Sequence, residues 1–377
     1  MNSVNIGQIA DFINGYPFKP TDWQSSGKKI IRIQNLTDNS KNFNFTKKEI
    51  PQKYLIQKGD LLISWSATLG IFEWLNDEPA LLNQHIFKVV FKKDIDKSFF
   101  KFAIRGAIEG MKKYTHGSTM KHIVKEDFVR TGIPLLSLES QKQAANILDL
   151  ADSLRQKRKE AISLLDNYLK SVFLEMFGDP VTNPKGWDIE ALNFFGEIVT
   201  GNTPPRNNND NYSPNFIEWI KTDNIIDDQI YLTKASEYLS ESGLNRARSI
   251  NPGAVLMACI AGSIASIGRV AITDRKVSFN QQINAIQPNE RVNSFFLYWL
   301  FRISRLYIQN HATKGMKRIL TKGEFEKIIM IIPSLDLQSK FAEIAQSAEI
   351  IKQKMLTQEE QLDNQFQSMM QKYFASN

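Results

Sequence analysis

The sequence predicts an α+β chain: two β-rich domains that repeat each other, separated by an antiparallel coiled coil of two long helices. Three observations predict it. The stretch MKHIVKEDF at Met120–Phe128 returns as MKRILTKGEF at Met316–Phe325. Short β-type runs fill two blocks of similar length. Each block is followed by a long segment free of proline and glycine with apolar residues at helical spacing.

The echo belongs to an ordered series. At an offset of about 196 residues, IGQIA at Ile6 falls near FGEIV at Phe195, and IIRIQNLTDN at Ile30 falls near EWIKTDNIID at Glu218. Asn83-Gln84 meets Asn280-Gln281, SFFKF at Ser98 meets SFFLY at Ser294, and SLESQKQ at Ser137 meets SLDLQSK at Ser334. LLDNYL at Leu164 meets QLDNQF at Gln361. Chance likeness of amphipathic segments does not keep such an order. Solenoid repeats run about 20–50 residues, so each copy here is instead a domain with an appended helix.

The first block, residues 1–138, carries KKIIRIQN, DLLISW and HIFKVVF, punctuated by Gly15, Pro17, Gly27, Gly59, Gly70 and Pro79. That pattern predicts a mixed, β-rich domain with a few short helices. Residues 180–335 repeat the plan. Residues 139–179 predict a helix whose seam includes Ile147, Leu154, Leu165 and Val172, interrupted at Arg158 and stopped by Gly178-Asp179-Pro180. Residues 336–377 predict the second helix, with Ile344, Ile351, Met355 and Leu362 on its seam and Gln358 and Gln365 weakening it. Each stripe is too long for one small domain to cover, so the two helices are expected to bury each other. Chain order makes the pair antiparallel.

Composition sets the outer bounds. The chain has 377 residues, 42% of them hydrophobic, enough for two or three packed domains. The one cysteine, Cys259, excludes a disulfide framework and a cysteine-based zinc cluster, and fits a reducing cytoplasm. The N-terminal MNSVNIGQIADF has no basic segment followed by an apolar core, so no secretory signal is read there. Gly253–Ile272 is apolar, but its serines, glycines and Arg269 argue for a strand–turn–strand unit rather than a membrane span. A net charge of +7 is a modest pointer to polyanions.

Two related heads joined by a rod suggest reading two related segments at fixed separation, and DNA is the polymer that offers them. The candidate contacts in the first head are Lys19, Arg32, Gln34, Asn35, Ser66, Thr68, Ser118, Lys121 and His122. Those in the second are Arg206, Lys221, Thr222, Asp223, Ser263, Lys314, Lys317 and Arg318. Arg and Lys suit guanine, and Asn and Gln pair bidentately with adenine. The glycine loops THGSTMKH and ATKGMKR suit phosphate contact, although a solvated loop leading to the next element has the same composition.

No catalytic constellation emerges. A glycine-rich nucleotide fingerprint is missing, and TPPR at Thr203 is not an amino-methyltransferase motif. His85, His116, His122 and His311 form no metal-spaced pair.

At these residues the chain resembles the specificity (S) subunit of type I restriction-modification systems. The first head carries NGYPFKPTDW, IIRIQNL, KGDLLISWSATLG, LLNQHIFKVV and HGSTMKHI. The second carries TGNTPPR, WIKTDNI, SFNQQ and KGMKRI, and the helices begin IPLLSLESQKQ and IPSLDLQSK, close to the family's Pro-Leu-x-x-Gln start. The resemblance spans essentially the whole chain. It implies one target recognition domain for each half of a bipartite DNA sequence, and a helical spacer that docks two modification subunits. Those partners would carry S-adenosylmethionine and methylate adenine. A restriction subunit using ATP and Mg would join for cleavage in defence against phage. The chain itself would catalyse nothing, bind no cofactor, touch no membrane and reside in the cytoplasm. The chain begins almost inside the first recognition domain and its second seam is rich in glutamine, two departures that bear on assembly. Two other readings stand beside this one: a recognition module of a nuclease or methyltransferase, for which no segment is left over, and a coiled-coil scaffold without a DNA role, which salt-dependent DNA binding would separate.

Overall fold

The computed structural model describes residues 3–38, 40–114, 125–313 and 318–374. The chain is α+β and divides into two compact units, residues 1–159 with 357–377, and residues 160–356.

In the first unit, a four-stranded antiparallel sheet has the order Ala10–Asn14, Ile86–Phe91, Leu61–Ser64, Gly70–Glu73. A second sheet has the order Asn44–Thr46, Lys28–Ile31, Ala80–Leu82, Leu55–Ile56, with its two central strands parallel. The alternation of the runs DLLISW and HIFKVVF places Ile63, Phe87 and Val89 in one core, with Phe12 and Phe100, while Leu62 and Ile86 face another. The helix Lys97–Tyr114 contributes Phe100, Ala103 and Ile104 to the first of these cores.

The second unit repeats both sheets. Gly196–Thr200, Ile283–Pro288, Val255–Ala258 and Val270–Ile272 form the antiparallel one. Tyr238–Leu239, Ile217–Ile220, Val277–Phe279 and Ser249–Ile250 form the mixed one, again with a parallel central pair. Register makes the repeat residue-specific. Ile30 pairs with Leu81 where Trp219 pairs with Ser278, and Ile31 pairs with Leu82 where Ile220 pairs with Phe279. The apolar Gly253–Ile272 stretch is strand, turn and strand, and no helix among the described residues is long and apolar enough to cross a membrane.

The two long helices run Leu138–Phe177 and Leu335–Phe374. Within the first unit, Leu148 and Phe102 pack with Phe366 and Met370, and Phe99, Ala144 and Ala145 pack with Tyr373 and Phe374. Farther along, Arg155 bonds Asp363 and Lys159 faces Glu359, so the pairing is antiparallel. Within the second unit, Lys352 holds Asp166, and Phe341 packs on Phe173 and Phe177, also antiparallel.

The seam departs from the expected one at Ile147, Leu154 and Ile351. Ile147, Leu154 and Ile351 are exposed, while Leu165, Val172, Ile344, Met355 and Leu362 are half-buried. The buried positions include Gln141, Ala144, Leu148, Arg155, Leu169 and Phe173 on the first helix, and Gln338, Phe341, Ala345, Ala348, Lys352 and Phe366 on the second. Gln358 and Gln365 are exposed and off the seam. Alanines let the backbones approach and ion pairs fill the middle, so Ile147, Leu154 and Ile351 point outward, while Leu165, Val172 and Ile344 pack at the edge of a core. Arg158 is half-buried; the basic residue within the seam is Arg155.

The glutamine at each helix start has a definite task. Gln141 accepts the Asp96 N–H at 2.8 Å and donates to the Leu136 carbonyl at 2.9 Å. Gln338 accepts the Asn293 N–H at 2.9 Å and donates to the Pro333 carbonyl at 2.8 Å and the Arg291 carbonyl at 3.1 Å. Both side chains are buried, so each fastens a long helix to the start of a head helix through an amide whose own polar atoms are bonded away from water.

Candidate nucleic-acid interface

In each unit two loops that carry described candidates, Lys19, Arg32 and Gln34 in the first and Arg206, Lys221, Thr222 and Asp223 in the second, meet at the ends of the parallel strand pair. The first loop leaves the first strand of the antiparallel sheet through a glycine. A Cβ on Gly15 would lie 2.0 Å from the Asn83 carbonyl oxygen, and one on Gly201 would lie 2.3 Å from that of Asn280. Only glycine permits this approach, which places the loops carrying Lys19 and Arg206 beside the Asn-Gln turns.

The second loop is the turn after the central strand. Asn35 Oδ1 accepts the Arg32 N–H at 3.1 Å, and its Nδ2 donates to the Lys41 and Asn42 carbonyls at 3.2 Å each. Asn224 Oδ1 accepts the Lys221 N–H at 3.0 Å, and its Nδ2 donates to Thr233 Oγ1 at 3.1 Å and the Lys234 carbonyl at 3.0 Å. Both asparagines are buried. The expectation that Asn35 reads a base is therefore corrected: its amide is consumed at both ends by the turn. Ser66 is also buried, so it offers no hydroxyl at the surface. Gln34, Thr68, Asp223 and Ser263 are exposed and Thr222 is half-buried; Ser263 Oγ lies 3.1 Å from Ser266 Oγ. Arg318 donates to the Thr313 carbonyl at 3.2 Å. Ser118, Lys121, His122, Lys314 and Lys317 lie outside the described residues.

The cations rest on aromatic rings. Arg206 lies 4.8 Å from the Tyr212 ring centre and 4.6 Å from that of Trp219, and Lys221 lies 5.3 Å from Trp219. Glu237 joins them: Arg206 Nη1 is 2.8 Å from its Oε2, and Lys221 Nζ donates to its Oε1. Lys221 first, then Arg206, holds the Glu237 carboxyl below the usual carboxylate range. In the first unit, Arg32 lies 5.3 Å from the Trp23 ring centre and Lys48 5.2 Å from that of Tyr16. Asp22 accepts the Lys19 N–H at 2.9 Å and pairs with Lys48 at 2.9 Å; the backbone bond first, and then Lys48, lowers its pKa.

Trp23, Asn44, Lys48, Tyr212, Trp219 and Glu237 were not among the residues expected from sequence. The signal available was a tryptophan two positions before Lys221 in WIK, since an aromatic so close to a strand-end cation can support it. Cationic groups held on rings, with acceptors between them, form a surface suited to phosphate and base edges. Among the described residues no group of three or more His, Cys, Asp or Glu could hold a metal ion.

The family model described as type I restriction modification DNA specificity domain matches residues 1–164 and again residues 184–361. The type I restriction enzyme EcoBI specificity subunit of Escherichia coli is 22% identical over 373 residues, covering 89% of this chain and 76% of that protein. The HindI specificity subunit of Haemophilus influenzae is 30% identical over 159 residues, covering 41% of this chain and 33% of that protein. A crystal structure of a type I restriction-modification S subunit from M. genitalium shares the fold with a TM-score of 0.62 at 13% identity, covering 100% of this chain and 96% of that one. A chain from a study of complex assembly and conformational transition of the type I system gives a TM-score of 0.56 at 17% identity, covering 99% and 97%. The twofold match, falling on the two copies of one α+β plan, shows that the chain belongs to the type I restriction-modification DNA specificity family, as a non-catalytic subunit that recognises DNA.

Proposed function

We propose that each unit reads one half of a bipartite DNA target, and that the long helices dock two adenine-methylating modification subunits. The observation that carries the first part is the duplicated loop cluster. Its scaffold is shared down to Asn35 and Asn224, while its outward residues differ, Arg32 against Lys221 and Gln34 against Asp223. Shared scaffolding with divergent outward chemistry suits two different half-sites.

Outward apolar residues support the docking role. Ile147, Leu150 and Leu154 share one face of the first helix at helical spacing in the first unit. Leu164, Tyr168, Ile350 and Ile351 are exposed on the helices of the second. Apolar stripes of this kind suit helices of a partner, and the internal repeat offers two equivalent places for one. S-adenosylmethionine belongs to those partners, ATP and Mg to a restriction subunit, and the assembly works on DNA in the cytoplasm.

The deciding experiment maps modified adenines in DNA from cells carrying the modification partner with this chain, without it, and with one unit's loops exchanged for those of a relative. A change confined to one half-site supports the reading. Modification that ignores the exchange overturns it.

A further inference from the structure

We propose that the residue facing the end of the central strand, Glu237 in the second unit and Asn44 in the first, sets how strongly each unit's cations hold DNA of any sequence. The proposal rests on the DNA-reading function above and extends it to a determinant of specificity.

Strand register identifies the pair. Lys28 pairs with Thr46, Lys29 with Phe45 and Ile30 with Asn44. In the second unit Ile217 pairs with Leu239 and Glu218 with Tyr238, and the next step brings the Trp219 N–H to the Glu237 carbonyl at 3.0 Å. Since Ile30 corresponds to Trp219 through the parallel strands, Asn44 corresponds to Glu237. Arg32 and Lys221 correspond in the same way. Each cation reaches the side chain at its matching position: Arg32 Nη1 donates to Asn44 Oδ1 at 3.4 Å, and Lys221 Nζ donates to Glu237 Oε1.

The geometry is shared and the charge is not. Asn44 is neutral, so the Arg32 guanidinium on Trp23 keeps its full positive charge toward an approaching phosphate. Glu237 takes two cations, Lys221 and Arg206, and leaves the three groups with a net charge of about +1. A phosphate approaching there meets a carboxylate between the cations. Sequence-independent affinity comes from cation–phosphate contacts, so a carboxylate at this point suppresses binding to the wrong DNA more than a precise base contact.

The test uses the full chain in complex with its modification partner and a duplex of random sequence, titrated over a range of salt. Glu237→Gln keeps the shape and removes the charge. It is expected to raise affinity for this duplex about three- to fivefold and to steepen the log–log salt slope by about 0.9, one added phosphate contact. Asn44→Asp is expected to do the reverse. The gain from Glu237→Gln should vanish when Arg206 and Lys221 are both alanine. Unchanged affinity and slope in Glu237→Gln overturn the proposal, as does a gain that survives without the two cations. If the double alanine variant binds as wild type does, these cations do not meet DNA; the proposal falls while DNA recognition stands. If the wild-type complex itself shows no salt-dependent binding, both fall. Thermal unfolding of each variant checks that the unit remains folded.

Discussion

Asn35 and Asn224 perform the same act in two places: each accepts the N–H of the cation three residues before it, at 3.1 Å and 3.0 Å, and donates onward to backbone or hydroxyl oxygen. Replacing either with alanine strands buried polar groups. Each substitution is expected to cost about 1–3 kcal/mol of stability, read by chemical denaturation. Because the turn also aims Arg32 or Lys221, DNA affinity should fall for the affected unit without a change of preference at a single base. A variant of normal stability with one altered base preference would restore the base-reading role.

Gln34 gives the contrasting outcome. It is exposed beside the fixed turn. If Gln34 contacts a base, Gln34→Ala should cost about 1–3 kcal/mol on the cognate site and relax one position of the first unit's half-site. Selection from random DNA reads this directly, and a change in the other half-site would refute it.

Lys352 is buried, bonded to Asp166 at 2.9 Å and 3.1 Å and to the Asp228 carbonyl at 2.8 Å. Asp166→Ala leaves its ammonium without its carboxylate and is expected to destabilise the second unit by about 3–5 kcal/mol. A Lys352→Met, Asp166→Leu double variant should recover most of that loss, because the desolvation cost disappears along with the pair. Denaturant titration distinguishes the two.

The outward stripe of the first unit predicts an assembly phenotype. Leu150→Asp with Leu154→Asp changes exposed positions and should leave the melting temperature within a few degrees of wild type. It should weaken the complex with a modification subunit, seen as a reduced stoichiometry in native mass spectrometry. Full two-to-one assembly by the variant would remove these residues from the docking surface.

Glu218 sets an acid limit for the second unit. Arg275 grips it through Nε at 2.8 Å and Nη2 at 2.7 Å, and this contact is the main reason its carboxyl lies below the ordinary value of 4.5. A depressed folded value means the stabilisation is complete above about that pH and is lost as pH falls through the lower folded value. Wild type and Glu218→Gln should therefore differ at neutral pH and converge in acid. Cys259 offers a readout in alkylation experiments: burial pushes its thiol up to about 12, so it should resist reagent until the second unit unfolds.

The sequence by itself determined the duplication, the α+β class, the two long helices and the DNA-recognising family. Those features are written in local signals: repeated words at one offset, alternating strands, and long runs without proline or glycine. Tertiary structure decided which stripe of each helix is buried. Ile147 and Leu154 are as apolar as Leu148, and only the tertiary partners, the second long helix and the head helix carrying Phe99 and Phe102, select among faces one residue apart. It also decided that Asn35 is spent on a turn and that Glu237 stands between Arg206 and Lys221. Side-chain amides and carboxylates look alike in a sequence whether they face solvent, backbone or a ligand. Their role depends on strand register, which brings Asn44 to Arg32 and Glu237 to Lys221 across a sheet.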